Sequence, residues 1–197
     1  MNKKVLIIPC LILIFISLSL VSGENTNNLT KPVSGIDFQI PPQYDGGILK
    51  NNSYIYINPY NFRILSLDNY NNLRFNFGSD MLEGSVITTQ ETTIGNHPAY
   101  VIYSYIDIAN SNLTSIYLSI EDTIFVISYK GDSITPEIEN MIENTPPSTI
   151  TSEQLYSKLS EALSDYRTSL NQEEIEYQQQ EYEQSNRGSD FFFFYVR

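Results

Sequence analysis

The sequence has one cysteine, one histidine and no tryptophan among its 197 residues. Cys10 lies inside an apolar N-terminal run, so a chain that begins after this run has no cysteine. Disulfides, thiol catalysis and thiolate metal sites are then excluded together. A zinc site would need carboxylates to complete a set around the single histidine, and zinc seldom adopts such a set. We therefore expect no metal and no cofactor.

Basic residues are also scarce. Eleven Lys and Arg stand against 23 Asp and Glu, which gives a net charge of -12. Binding to nucleic-acid phosphates needs clustered Lys and Arg, so we expect no nucleic-acid partner. The acidity itself is typical of a soluble surface.

Catalytic signatures are missing as well. There is no G-x-G-x-x-G, P-loop, G-x-S-x-G or EF-hand pattern. His97 lies in the turn Gly95-Asn96-His97-Pro98, where we expect a solvated side chain without a catalytic role. Acidic residues are plentiful, but no spacing singles out a pair for glycoside hydrolysis.

The N-terminus has the three parts of a secretory signal. Lys3 and Lys4 precede an apolar run over 5–21, and small residues at 21–23 provide a cleavage position. The run is also nearly long enough to span a bilayer, so residues 1–23 are either a signal peptide or a membrane anchor. Both alternatives place the rest of the chain outside the cytoplasm, after a polar linker over 24–34.

A single α+β domain is predicted for residues 35–150, centred on an antiparallel meander over Ser85 to Tyr129. Within it, 99–108 and 123–129 are apolar on both faces, as in covered central strands. In the run between them we expect one wet face, which presents three side chains to solvent: Ser115, Tyr117 and Ser119. Shorter strands are predicted earlier in the chain, at 36–40, 54–58, 62–67 and 73–77.

Two C-terminal helices are predicted to pack on this sheet. Thr135 and Pro136 begin the short one, and Thr151 with Gln154 forms a capping box for the long one over 151–170. An acidic, polar tail over 171–197 follows and ends in an aromatic run. This run is a candidate interaction segment, which could add an edge strand, meet a membrane or meet a partner: Phe191, Phe192, Phe193 and Phe194.

Three N-x-S/T sequons are candidate glycosylation sites if the leader exports the chain: Asn28, Asn51 and Asn112. The many tyrosines in the strands could form an aromatic binding face. Half-buried structural rings are the simpler interpretation, because tyrosine is a good strand residue.

Several strand and turn residues carry a family resemblance over about residues 35–145. The opening G-x-x-F-x-I-P and the mid-domain T-I-G-x-x-x-A-Y resemble those of small extracytoplasmic PsbP/Mog1-like domains: Gly35, Phe38, Ile40, Pro41, Thr93, Ile94, Gly95, Ala99 and Tyr100. The resemblance implies an antiparallel sheet with packed helices and a role in binding other proteins. It implies no catalytic residues.

These observations together predict a non-catalytic secreted or cell-surface protein that serves as an interaction or structural domain. Its partner would be a protein or an envelope component, with membrane contact through the N-terminal segment if that segment is uncleaved. Two alternatives stay open. One is a carboxylate-dependent hydrolase of cell-envelope polymer, and the other is a small-ligand-binding module with an apolar pocket between sheet and helix.

Overall fold

The computed structural model describes residues 29–50, 52–58, 63–69, 73–107 and 110–193, from 181 onward by backbone alone. The described residues form nine strands: β1 (Leu29–Val33), β2 (Ile36–Ile40), β3 (Ile48–Lys50), β4 (Ser53–Asn58), β5 (Arg63–Asn69), β6 (Ser85–Ile94), β7 (His97–Ile106), β8 (Ser111–Ile120) and β9 (Thr123–Lys130). They also form three α-helices: α1 (Leu73–Leu82), α2 (Pro136–Glu143) and α3 (Ser152–Phe193). The predicted signal peptide or anchor lies outside the described residues.

Seven of the strands form one antiparallel sheet in the order β3-β4-β5-β9-β8-β7-β6. The predicted meander supplies β6 to β9, which pair in sequence order. The earlier strands join at its far side, where Leu65 of β5 pairs with Tyr129 of β9. The α+β class with an antiparallel meander is therefore confirmed.

One face of the sheet is covered by the β1–β2 hairpin and by α2, and we call it the hairpin side. The alternation predicted for 36–40 is confirmed, since Phe38 and Ile40 are fully buried. Phe38 packs edge to face on Phe125 of β9 at 5.4 Å between ring centroids. Thr135 caps α2 by accepting a hydrogen bond from the amide of Ile138. Aliphatic and aromatic side chains fill this core.

The opposite face, the helix side, is covered by α1 and by the first half of α3. The capping box is confirmed, because the amide of Gln154 donates to Thr151 Oγ1 and the amide of Thr151 donates to Gln154 Oε1. Leu155 and Leu159 are buried against the sheet. Tyr166 packs against α1, with its ring edge to face on Phe75.

The strand predicted at 73–77 is wrong, because these residues open helix α1. Leu73, Phe77 and Met81 recur at four-residue spacing and all pack into the helix-side core. Phe75 falls between them and is exposed. The two-residue alternation over this short run does not continue, and the helical stripe extends through ten residues.

The prediction that one face of β8 is exposed to solvent is also wrong. Ser115, Tyr117 and Ser119 are all buried. The ring of Tyr117 packs under Phe77 of α1 at 5.0 Å between centroids. The polar side chains on this face of β8 are buried under helices, and burial is possible because their hydroxyls form hydrogen bonds there.

Helix α3 continues past its buried part without a break, to 42 residues in all. Residues 171–180 are exposed throughout. The backbone is helical through Phe193, so residues 191–193 do not add an edge strand to the sheet. Among the described helices, none has both the length and the apolar character required to cross a membrane.

Candidate interaction surface

Helix cover on the helix side ends midway across the sheet. Beyond it, on β3 and β4, Ile48, Ile55 and Ile57 are 69%, 38% and 66% exposed. Ile48 pairs with Ile55 across the two strands, and Ile57 lies two residues further on the same face. We call these three side chains the isoleucine ledge.

The alternating sequence Tyr-Ile-Tyr-Ile over 54–57 produces this arrangement. Tyr54 points to the hairpin side, where its ring is fully buried. Its hydroxyl donates to the carbonyl oxygen of Tyr44 at 2.6 Å and accepts from the amide of Gly47 at 2.9 Å. Because Tyr54 anchors the strand on one face, the isoleucines must face the other.

A shallow depression of about 240 Å³ opens along the ledge. Its lining is formed by two glycines, the three isoleucines and one lysine: Gly46, Gly47, Ile48, Lys50, Ile55 and Ile57. Lys50 is the charged member of that lining. As far as the described residues line it, the depression is therefore apolar, with the positive charge of Lys50 as its one charged group.

Strand β3 is an edge of the sheet and is exposed along its whole length. In the part of the chain that the structure describes, no strand pairs with its outer side. Lys50 and Ser53 are the last pair before the two-residue turn between β3 and β4. In such hairpins the last pair exchanges main-chain hydrogen bonds. Pairing alternates along an antiparallel ladder, so the N–H of Leu49 points to the outer side. This edge can accept another strand.

The opposite edge, β6, is protected against strand addition. Ile87 is a bulge residue, because the register shifts between Val86 and Thr88. Threonines and Glu91 occupy most of the exposed positions on this strand. Bulges and charges are the usual means of blocking edge pairing. The two edges of the sheet thus differ in how easily another strand could pair with them.

A polar cluster lies under α1, beside the uncovered region. Tyr117 donates a hydrogen bond to Asp80 Oδ2 at 2.6 Å, and the hydroxyls of Ser115 and Ser128 lie 3.0 Å apart. Burial raises the pKa of Asp80, while the Tyr117 and Ser115 hydroxyls act in the opposite direction. This cluster ties α1 to the sheet. Among the described residues no group of three His, Cys, Asp or Glu could hold a metal ion.

The prediction that the side chain of His97 is solvated in the turn is wrong. Its side chain is 1% exposed. Nδ1 lies 3.0 Å from the carbonyl oxygen of Ser119, and Nε2 lies 3.2 Å from Thr145 Oγ1. The turn itself is confined to Gly95 and Asn96, and His97 begins β7. The imidazole therefore joins β8 to the segment after α2, which is a structural role.

Of the predicted site residues, Asn112 is the one whose side chain the structure describes. Asn112 lies on β8 and is half-buried, with its backbone carbonyl accepting from the amide of Gly131. Asn28, Asn51 and Phe194 lie outside the described residues, and residues 191–193 are described by backbone alone. The ledge was missed, although the alternation over 54–57 already indicates two apolar faces.

No family model, no curated protein and no solved structure matches this chain. The exposed ledge and the free edge of β3 are therefore the observations from which a function is inferred.

Proposed function

We propose that this chain is a non-catalytic, extracytoplasmic interaction domain that binds an extended segment of another protein along β3. The observation that supports the proposal is the isoleucine ledge at an open sheet edge. Contiguous exposed apolar surface is typical of protein-binding sites. An exposed edge strand recognises extended peptides through main-chain hydrogen bonds, and adjacent pockets select alternate side chains.

The geometry specifies what the bound segment would offer. A strand added beside β3 presents every second side chain to the helix side, next to Ile48, with the isoleucines of β4 one strand further in. An apolar side chain there would fill the depression of about 240 Å³. Lys50 at the border favours an uncharged or acidic neighbour on the partner. The partner segment is therefore extended, apolar at alternate positions and not basic.

The location outside the cytoplasm depends on the predicted leader. It restricts the partner to a secreted, cell-surface or envelope protein. The resemblance to PsbP/Mog1-like domains belongs to the same proposal, because that family also implies an antiparallel sheet that serves binding.

The test compares the two sheet edges in the native cell. A photoreactive amino acid replaces either Ile57 or Ile87, which are 66% and 62% exposed. We expect a specific partner to crosslink from position 57 on the ledge and not from position 87 on β6. Crosslinking of the same partner with equal yield from both positions would contradict the proposal.

The partner is then purified and titrated against variants of the β3 edge. Leu49→Pro removes the outward N–H and obstructs strand addition, so we expect affinity to fall about tenfold or more, since each lost 1.4 kcal/mol is tenfold. Leu49→Val retains the N–H and an apolar side chain, and we expect nearly unchanged affinity. If Leu49→Pro binds as tightly as the parent while folded, strand addition is wrong.

A further inference from the structure

A second opening lies at the other end of the helix side, near β6 and β7. It is a half-open cavity of about 230 Å³ between α1, α3 and the sheet. Phe77 and Met81 of α1, Tyr100 of β7 and Tyr156 and Leu159 of α3 form its walls. It shares no lining residue with the depression along the ledge.

Three aromatic rings from three different elements meet at this cavity. Phe77 lies 5.5 Å from Tyr100, and Tyr100 lies 6.2 Å from Tyr156, both measured between ring centroids. Both pairs are edge to face, with interplanar angles of 77° and 69°. Rings at such angles cannot stack into one flat wall, so the aromatic lining has ring planes in more than one direction.

The rings are held in place by packing and hydrogen bonds. Phe77 is buried, and its ring also contacts that of Tyr117. The Tyr156 hydroxyl donates toward the carbonyl oxygens of Thr92 and Ala99, at 3.4 and 3.3 Å. The ring of Tyr156 is thereby held at the end of β6 and β7 next to their connecting turn, where Thr92 pairs with Ala99. The cavity is preformed, as small-molecule sites usually are.

One acidic residue lies at the mouth of this cavity. Glu91 of β6 pairs directly with Tyr100 across the ladder, so its side chain lies on the same face as that ring. Burial raises the pKa of Tyr156, and the negative charge of Glu91 adds to the effect, so the two groups are electrostatic neighbours. Among the described residues that line the cavity, Glu91 is the charged one.

We propose that this cavity binds a small hydrophobic cation, an amine or a quaternary ammonium compound with an apolar body. Aromatic ring faces attract an organic cation, and the Glu91 carboxylate provides the opposite charge at the mouth. The thioether of Met81 and the side chain of Leu159 would contact the apolar body.

Other ligand classes fit this lining less well. An anion would be repelled by Glu91 and by the chain's net charge of -12. A neutral ligand would gain no electrostatic attraction from the carboxylate at the mouth. A metal ion would find one carboxylate where several ligands are required. An organic cation would interact favourably with both the aromatic rings and the Glu91 carboxylate.

The test is a titration of the full-length chain with benzyltrimethylammonium, followed by methyl NMR and calorimetry. Benzyl alcohol and phenylacetate serve as the neutral and anionic ring compounds. We expect the cation to bind most tightly and to shift the methyl signals of Met81 and Leu159. Equal binding of the three compounds, or shifts elsewhere only, would overturn the proposal.

Two charge-matched variants locate the electrostatic contribution. Glu91→Gln removes the charge at the cavity mouth, and we expect the cation to bind about fivefold more weakly. Glu139→Gln removes an exposed charge on α2, on the opposite side of the sheet, and we expect no change. Equal affinities for the two variants would contradict the assignment.

This site is independent of the proposed partner binding. Leu49→Pro at the far edge should leave cation binding unchanged, and Glu91→Gln should leave partner binding unchanged. Failure of one proposal therefore leaves the other intact.

Discussion

The two faces of the sheet are covered in different ways. The hairpin side is closed by the β1–β2 hairpin and α2, over a continuous aliphatic and aromatic core. Among the described strands, the helix side is covered by α1 and α3 over β7 to β9, with a carboxyl group among its aromatic rings. It carries both openings, the depression along the ledge and the cavity beside Glu91.

This contrast indicates a division of roles within one sheet. Burial of apolar surface is the main source of stability, so the hairpin side should contribute most of it. Uncovered apolar surface contributes little to stability and is retained where something binds. The following substitutions test whether the two faces differ in this way.

The largest effect is expected from Phe38→Ala on the hairpin side. Phe38 is fully buried and packs on Phe125, so its removal leaves a cavity, and we expect a loss of about 3–5 kcal/mol in the free energy of unfolding. Ile57→Ala on the ledge should change it by about 0.5 kcal/mol or less. Chemical denaturation measures both. Similar losses at the two positions would remove the distinction between the faces.

An intermediate effect is expected where α1 meets α3. Gly78→Ala in an open helix would stabilise by up to about 1 kcal/mol, because alanine favours helices. Here the new methyl group would overlap the ring of Tyr166. We expect instead a loss of about 1–3 kcal/mol, as for overpacking in a core. Thermal unfolding of the variant gives the sign of the change, and stabilisation would show that Tyr166 shifts enough to accommodate the methyl group.

The smallest effect concerns Asp80 and depends on pH. Its pKa is raised by burial, so the folded state holds the proton more tightly than the unfolded state does. Its stabilising contribution is therefore complete below the unfolded pKa and is lost as pH rises through the folded pKa. Asp80→Asn keeps an acceptor for Tyr117 and abolishes this titration.

We therefore expect Asp80→Asn to improve in stability relative to the parent as pH rises from acidic to neutral. Denaturation at several pH values measures the difference between the two proteins. A difference that is independent of pH would mean that Asp80 titrates alike in the folded and unfolded states.

Local signals were sufficient for most elements. The alternation of Ile36, Phe38 and Ile40 predicts β2, and the residues around Thr135 and Thr151 predict where α2 and α3 begin. Helix α1 was missed because Gly78 lowers helix propensity and because its first five residues alternate like a strand. Only the longer spacing from Leu73 to Met81 distinguishes the two.

The binding surface depends on long-range order that the sequence does not display. Strands β3 to β5 join the meander through β9, and this pairing places Ile48 and Ile57 beyond the reach of α1 and α3. The burial of His97 and Tyr117 is not visible in the sequence for the same reason. Their cover comes from Thr145 and Phe77, at distant positions in the chain.

The length of α3 has a mechanical consequence. From Leu170, the last partly buried residue among those whose side chains are described, to Phe193 the helix advances about 35 Å at 1.5 Å per residue. A domain of this size has a radius of gyration of roughly 14 Å. This part of the helix is thus about as long as the domain is wide. Because its residues 171–180 are exposed throughout, the helix adds frictional drag to that of the sheet domain.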